Sequence, residues 1–134
     1  MKRRYVFSVI LSVLVLLLSS CDSRTELEKV QDKVINTLTV LHEGDIDTYI
    51  DNVYFAEQLT AERDTLLHIV LRRYLDGVRQ KGGLMSVEPL FAELSSDSTA
   101  VIKYTLNYNN GNRETCLRHI RKQDDEWYIE EFVN

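Results

Sequence analysis

The chain has 134 residues, with 16 Lys+Arg against 21 Asp+Glu, a formal charge of −5 and 44% hydrophobic residues. That is enough for one ordinary domain and too little for two. The acidic balance argues against binding a phosphate backbone, so no nucleic-acid partner is expected.

Lys2, Arg3 and Arg4 form a short cationic segment, and Tyr5 to Leu18 follow without a charge. At 1.5 Å rise that apolar run spans about 21 Å, short of the ~30 Å hydrocarbon core of a bilayer. The layout is that of a secretory signal peptide rather than a transmembrane helix. Leu18-Ser19-Ser20-Cys21 resembles the bacterial lipobox, a branched apolar residue and two small ones before a cysteine that becomes the lipidated N-terminus. The competing reading is an ordinary signal peptide with an incidental Cys21.

The expected organisation is a signal peptide over 1–20, a lipidated Cys21 with a polar tether over 21–26, and a single domain over 27–134. Loss of the signal leaves 114 residues and a charge near −8. So acidic a domain does not bind an anionic bilayer by itself. The membrane is therefore a partner only through the lipid, where more than one acyl chain is needed for a stable anchor. With Cys21 consumed, Cys116 is the one remaining thiol and no intramolecular disulfide is expected. The expected location is a bacterial cell envelope, on either membrane.

From Leu27 the pattern is helical. Leu27, Val30, Val34, Leu38 and Leu41 recur at intervals of three and four. Gly44 suits a left-handed C′ position and Asp45 an N-cap. Ile46, Tyr49, Ile50, Val53 and Tyr54 mark a second, short amphipathic helix. Thr60 caps a third, with Leu66, Leu67, Val70, Tyr74 and Val78 as its apolar stripe and Gly82-Gly83 as its end.

Beyond Gly83 the period falls to two. "LMSVEPLFAEL" reads as a strand that Pro89 places at an edge or a bulge. Ala100, Ile102, Tyr104, Leu106 and Tyr108 form one face of a second strand. Asn109-Asn110-Gly111-Asn112 is a hairpin turn, "RETCLRHIRK" a third strand, and "QDDE" turns it into "WYIEEFV". Helices followed by strands indicate an α+β fold: three N-terminal helices on a curved antiparallel sheet of about four strands. The expected core includes Ile50, Val70, Tyr74, Ile102, Leu106, Trp127 and Ile129.

A first helix ending in "LHEGDIDTYI", a longer helix, and a meander finishing "RKQDDEWYIEEF" resemble the nuclear transport factor 2-like superfamily, in particular its small bacterial lipoproteins. Lys122, Asp124, Trp127 and Ile129 carry the closing hairpin motif, with Asp125-Glu126 where glycine is common. The resemblance covers residues 27 to 134. It implies a cone whose sheet wraps the helices around a cavity, and leaves function open.

Some members of that superfamily are dehydratases, isomerases or cyclases. The candidates for such work here are Tyr49, Tyr54, His68, Tyr74 and Tyr104. Tyr49, Tyr74 and Tyr104 lie on apolar faces, where a ring fills a core and its hydroxyl needs one partner. His68 sits beside the apolar stripe on a solvated edge, and no carboxylate can be named for it. His42 falls at a helix end, where the macrodipole favours a cation. The three histidines have no ligand-spaced partners, so no metal site is expected, and no motif calls for a cofactor. Cys116 reads as a small apolar filler.

In "RETCLRHIRK", Cys116, Arg118 and Ile120 share one face and Leu117, His119 and Arg121 the other. If Ile120 points inward, Arg118 enters the cavity and needs an acidic partner or an anionic ligand. If a bulge shifts the register, Leu117 points in and Arg118 is solvated. Both readings stand at this point. The sequence leads to a non-catalytic binding domain, with Arg118, Tyr104, Tyr74 and Tyr49 as the ligand-binding candidates and Cys21 as the lipidation site. The partner is a small ligand or an envelope protein, and the sheet is the surface through which a homodimer would form. A small isomerase-, dehydratase- or hydrolase-like cavity enzyme is the alternative.

Overall fold

A computed structural model describes residues 26–131. The expected signal peptide, lipobox and Cys21 lie outside the described residues. Among the described residues no helix is long and apolar enough to cross a membrane.

Helix α1 covers residues 26–42, and Val30, Val34, Leu38 and Leu41 are its buried stripe. Gly44, at φ +96°, ends it, as a residue without Cβ readily does. The Asp45 carboxylate then accepts from the Thr48 backbone N–H and caps α2, Ile46–Asp51.

The expected second helix stops short. Val53–Tyr54 form a two-residue strand, β1, which runs parallel to the last strand. The last strand would otherwise expose an unpaired edge, and the Ile129 N–H bonds the Asn52 carbonyl at 3.0 Å. Val and Tyr suit a pleated, half-buried surface better than a helix end. The sheet therefore has five strands instead of about four.

Helix α3, Ala61–Gln80, starts at Thr60, whose hydroxyl accepts from the Arg63 N–H. Its inner face is not quite the expected stripe. Leu71 and Val78 are buried and Leu67, Tyr74 and Leu75 pack on them, whereas Leu66 is exposed and Val70 is 59% exposed. Val70 lines an open cavity. An apolar position there faces the cavity and solvent instead of a packed core. The helix ends against the turn at Asn109 and Asn110. Gly82 lies at φ +81°, and a Cβ there would stand 3.2 Å from the Asn109 Cβ. The Asn109 amide nitrogen also donates to the Gly82 carbonyl at 2.8 Å.

The strands are β2 Leu84–Leu94, β3 Thr99–Tyr108, β4 Arg113–Gln123 and β5 Glu126–Glu130, in sheet order β1-β5-β4-β3-β2. Pro89 sits on the edge strand β2, beside a register shift between Pro89 and Phe91, as a missing N–H requires. Asp124 and Asp125, at φ 51° and 62°, make the two-residue turn between β4 and β5.

Ala100, Ile102, Tyr104, Leu106 and Tyr108 are all buried on the inner face of β3. With Val30, Val34, Ile120, Trp127 and Ile129 they form the larger core. Leu41, Ile46, Tyr49, Ile50, Val53 and Leu71 form a second cluster. Of the expected core, Ile50, Ile102, Leu106, Trp127 and Ile129 are buried, Tyr74 is half-buried and Val70 is exposed.

Candidate ligand site

Between the two clusters lies a cavity of about 350 Å³. That is at the small end of the range for small-molecule sites. Its walls are Leu38 and Leu41 from α1, Tyr49 from α2, Val53 and Phe55 from the following segment, and Leu67, Val70, Leu71 and Tyr74 from α3. Tyr104, Leu106, Glu114, Cys116 and Arg118 line it from the sheet, with Glu131 beyond β5. Tyr49, Tyr74, Tyr104 and Arg118 thus all meet in one cavity.

Strand parity decides the position of Arg118. Ile120 pairs with Ala100 and Arg118 with Ile102, both on the buried side of β3, and no register shift occurs between β3 and β4. Arg118 is 5% exposed, while Leu117 is 56% exposed on the outer face. Arg118 donates to the Glu130 carbonyl at 3.2 Å. It also hydrogen-bonds the Tyr104 hydroxyl and, with its charge, favours ionisation of that phenol. Burial outweighs this pull and holds Tyr104 well above the ordinary phenol range.

The carboxylates here escaped the sequence reading. Glu114 lies on the Cys116–Arg118 face of β4, opposite Leu106, and accepts from the Tyr108 hydroxyl at 3.2 Å. Glu131 follows Trp127 and Ile129 in strand parity, and the Arg63 guanidinium holds both its oxygens at 3.0 Å. The alternation that singled out Arg118 could have found Glu114, and extending it past Ile129 could have found Glu131.

Tyr74, Tyr104 and Cys116 in the cavity wall resist ionisation. Burial pushes Tyr74 up, and Tyr108 and Glu114 add to that shift. The Cys116 thiol is pushed up by burial and next by Glu114. His42 is half-buried at the end of α1, with Nδ1 2.7 Å from the Leu38 carbonyl and Nε2 2.9 Å from the Tyr74 hydroxyl. Desolvation lowers its pKa, so the cation expected at this helix end is disfavoured.

His68 also differs from expectation, because two aspartates meet it. Its Nε2 lies 2.7 Å from the Asp47 carboxylate, and its Nδ1 2.8 Å from the Asp64 carbonyl and 3.6 Å from the Asp64 carboxylate. The contact with the Asp64 carbonyl, followed by Asp47, raises its pKa. Among the described residues no histidine lines the cavity, and no group of three His, Cys, Asp or Glu side chains is placed to hold a metal.

No protein-family profile matches the sequence, and no curated protein does. The solved structures do give a match. The chain superposes on a Campylobacter jejuni protein provisionally named a nuclear transport factor 2-like transpeptidase. The TM-score is 0.66 at 18% identity, over 76% of this chain and 97% of that one. The chain has the nuclear transport factor 2-like fold. A SEC-C motif-containing protein from Rhodopseudomonas palustris aligns at TM-score 0.46 and 16% identity, over 70% of this chain and 69% of that one. The shared fold accommodates binding domains and small cavity enzymes alike.

Proposed function

We propose that this is a lipid-anchored cell-envelope protein whose nuclear transport factor 2-like cone binds a small, largely apolar ligand carrying an anionic group, without turning it over. The observation that carries this reading is Arg118, a nearly buried guanidinium in the wall of a mostly apolar cavity that Glu114, Cys116 and Glu131 also line. An arginine presents a planar fork of several donors, suited to a carboxylate or phosphate. Arginine stays protonated at neutral pH and cannot act as a general base. Tyr74, Tyr104 and Cys116 are pushed away from ionisation, opposite to what a nucleophile or base requires. These features favour binding over catalysis.

The test of binding is a thermal-shift screen of the full chain in lipid nanodiscs, across organic acids and fatty acids. An anionic hit weakened at least ~10-fold in Arg118→Met supports the reading, since hydrogen bonds to charged groups contribute ~1.5–3 kcal/mol. A hit converted to product during incubation overturns the non-enzymatic reading. The anchor is tested separately, by labelling cells with a radioactive fatty acid. Label that persists in Cys21→Ser would refute the lipoprotein assignment.

A protein partner on the outer face of the sheet is the second reading. It is favoured by Phe91 and Leu117, both exposed and both paired with Lys103 in one cross-strand row. Absence of any ligand hit, together with loss of an envelope cross-link in Leu117→Lys, would shift the function to that face.

A further inference from the structure

Helix α3 shows solvent an apolar pair fenced by opposite charges. Leu66 is 55% exposed and Ile69 is 40% exposed, and neither lines the cavity. Glu62 precedes Leu66 by four residues, Arg73 follows Ile69 by four, and both are exposed. Steps of four, three and four set all four side chains on one stripe of the helix, the spacing of the seam between packed helices. The stripe lies on the far side of α3 from Leu71 and Val78, which are buried. Among the described residues neither Glu62 nor Arg73 has an ion-pair partner. Their neighbours are already engaged, Arg63 with Glu131 at 3.0 Å and Asp76 with Arg79 at 3.7 Å.

We infer that this stripe is a self-association surface, on which a second copy of the chain lays its own α3 antiparallel. The stripe reads acid, apolar, apolar, base, so its reverse is its complement. One antiparallel register, with the two-fold axis between positions 67 and 68, packs Leu66 on the partner's Ile69 and sets Glu62 beside the partner's Arg73. The symmetry repeats both contacts. A parallel pair would set acid on acid and base on base, so the charges also select the direction. An anionic membrane surface is a poorer occupant, because the chain carries a charge of −5. The pairing uses a helix instead of the sheet, and it is independent of what the cavity binds. Stable interfaces engage roughly 20–30 residues a side. A seam this short therefore gives a weak dimer that forms at high local concentration.

The experiment is resonance energy transfer between donor- and acceptor-labelled copies of the full chain in mild detergent, over rising protein concentration. Wild-type transfer should rise with concentration. Glu62→Arg alone and Arg73→Glu alone should each weaken association at least ~10-fold, because each variant meets its own copy with two like-charge contacts. Donor-labelled Glu62→Arg mixed with acceptor-labelled Arg73→Glu should regain wild-type transfer, since both contacts are then between opposite charges. Both positions are exposed, so circular dichroism and urea midpoints should match the wild type and confirm that the variants are folded. Leu66→Gln gives a second, uncharged loss of association. Absence of transfer in the wild type at every concentration would overturn the inference. So would equal transfer in the wild type and all variants, which would place association elsewhere on the chain. Loss in the single reversals without recovery in the mixture of folded variants would overturn the antiparallel pairing.

Discussion

Trp127 is the single tryptophan of the chain and is 4% exposed at the end of the cone where α1 begins. Its indole N–H donates to the Glu26 carboxylate at 3.0 Å, and the same oxygen takes the Lys122 ammonium at 3.2 Å. The ring packs in the larger core beside Ile120, Ile129 and Val30. Two effects can therefore be separated. Trp127→Ala removes the whole ring from a packed core and should cost ~3–5 kcal/mol. That is a large share of the stability of a domain this size. Trp127→Phe keeps one ring but loses the indole donor to a charged acceptor. Glu26 is partly exposed, so solvent screens that bond, and the loss with the missing ring area should be about 2 kcal/mol.

Glu26→Gln keeps an acceptor but removes the charge, and should cost about 1 kcal/mol. Because Trp127 and Glu26 touch, the double variant Trp127→Phe/Glu26→Gln should fall short of additivity. The Trp127 bond, then Lys122, lower the Glu26 pKa. Its contribution is therefore present above the unfolded carboxylate pKa and fades as pH falls through the folded value. Urea melts followed by circular dichroism at pH 7 and pH 3 measure all of these, with an unchanged slope required for comparison. Trp127→Ala within 1 kcal/mol of the wild type would refute the inward assignment. Strict additivity of the pair would refute the latch between the start of α1 and the β4–β5 hairpin.

Tyr74→Phe removes the hydroxyl 2.9 Å from His42 Nε2 and should destabilise by about 1–2 kcal/mol in the same melts, because a half-buried imidazole nitrogen loses its partner. The raised pKa of His68 predicts stability, from its contacts with the Asp64 carbonyl and then Asp47, that is complete below about pH 6.5 and lost as pH rises through the folded value. His68→Gln should flatten that part of the urea-midpoint profile between pH 5.5 and 8.5. His42, with its lowered pKa, gives the opposite slope: stability falls as pH drops below about 6.5, so this limb should survive in His68→Gln. Gly82→Ala should cost about 1–2 kcal/mol, from a left-handed φ of +81° and the 3.2 Å approach to the Asn109 Cβ.

Where structure is set by the next few residues, it was legible in the sequence. Asp45 and Thr60 cap their helices because a short side-chain oxygen reaches an N–H three residues on. Gly44, Gly82, Gly111 and the Asp124-Asp125 pair take positive φ where the chain must reverse. The period-two run from Ala100 to Tyr108 could only be a strand with that face buried. The same alternation placed Cys116, Arg118 and Ile120 on one side of β4. It could not say which side was inside, since a single bulge inverts every residue beyond it.

Tertiary structure decided what depends on distant partners. Val53 and Tyr54 left the helical pattern because an open edge of β5, some seventy-five residues later in the chain, offered backbone bonds. Val70 stayed apolar yet exposed because it faces a cavity instead of a packed core, and no local period encodes where a cavity falls. His68 acquired Asp47 across the gap between two helices, and His42 acquired Tyr74. The unshifted β3–β4 register brought Arg118 and Glu114 into one cavity with three tyrosines. Residue types and periods along the chain determined the elements and their apolar faces. The way the sheet folds over the helices determined which charges met at the cavity, because that meeting is a property of long-range pairing and not of any local pattern.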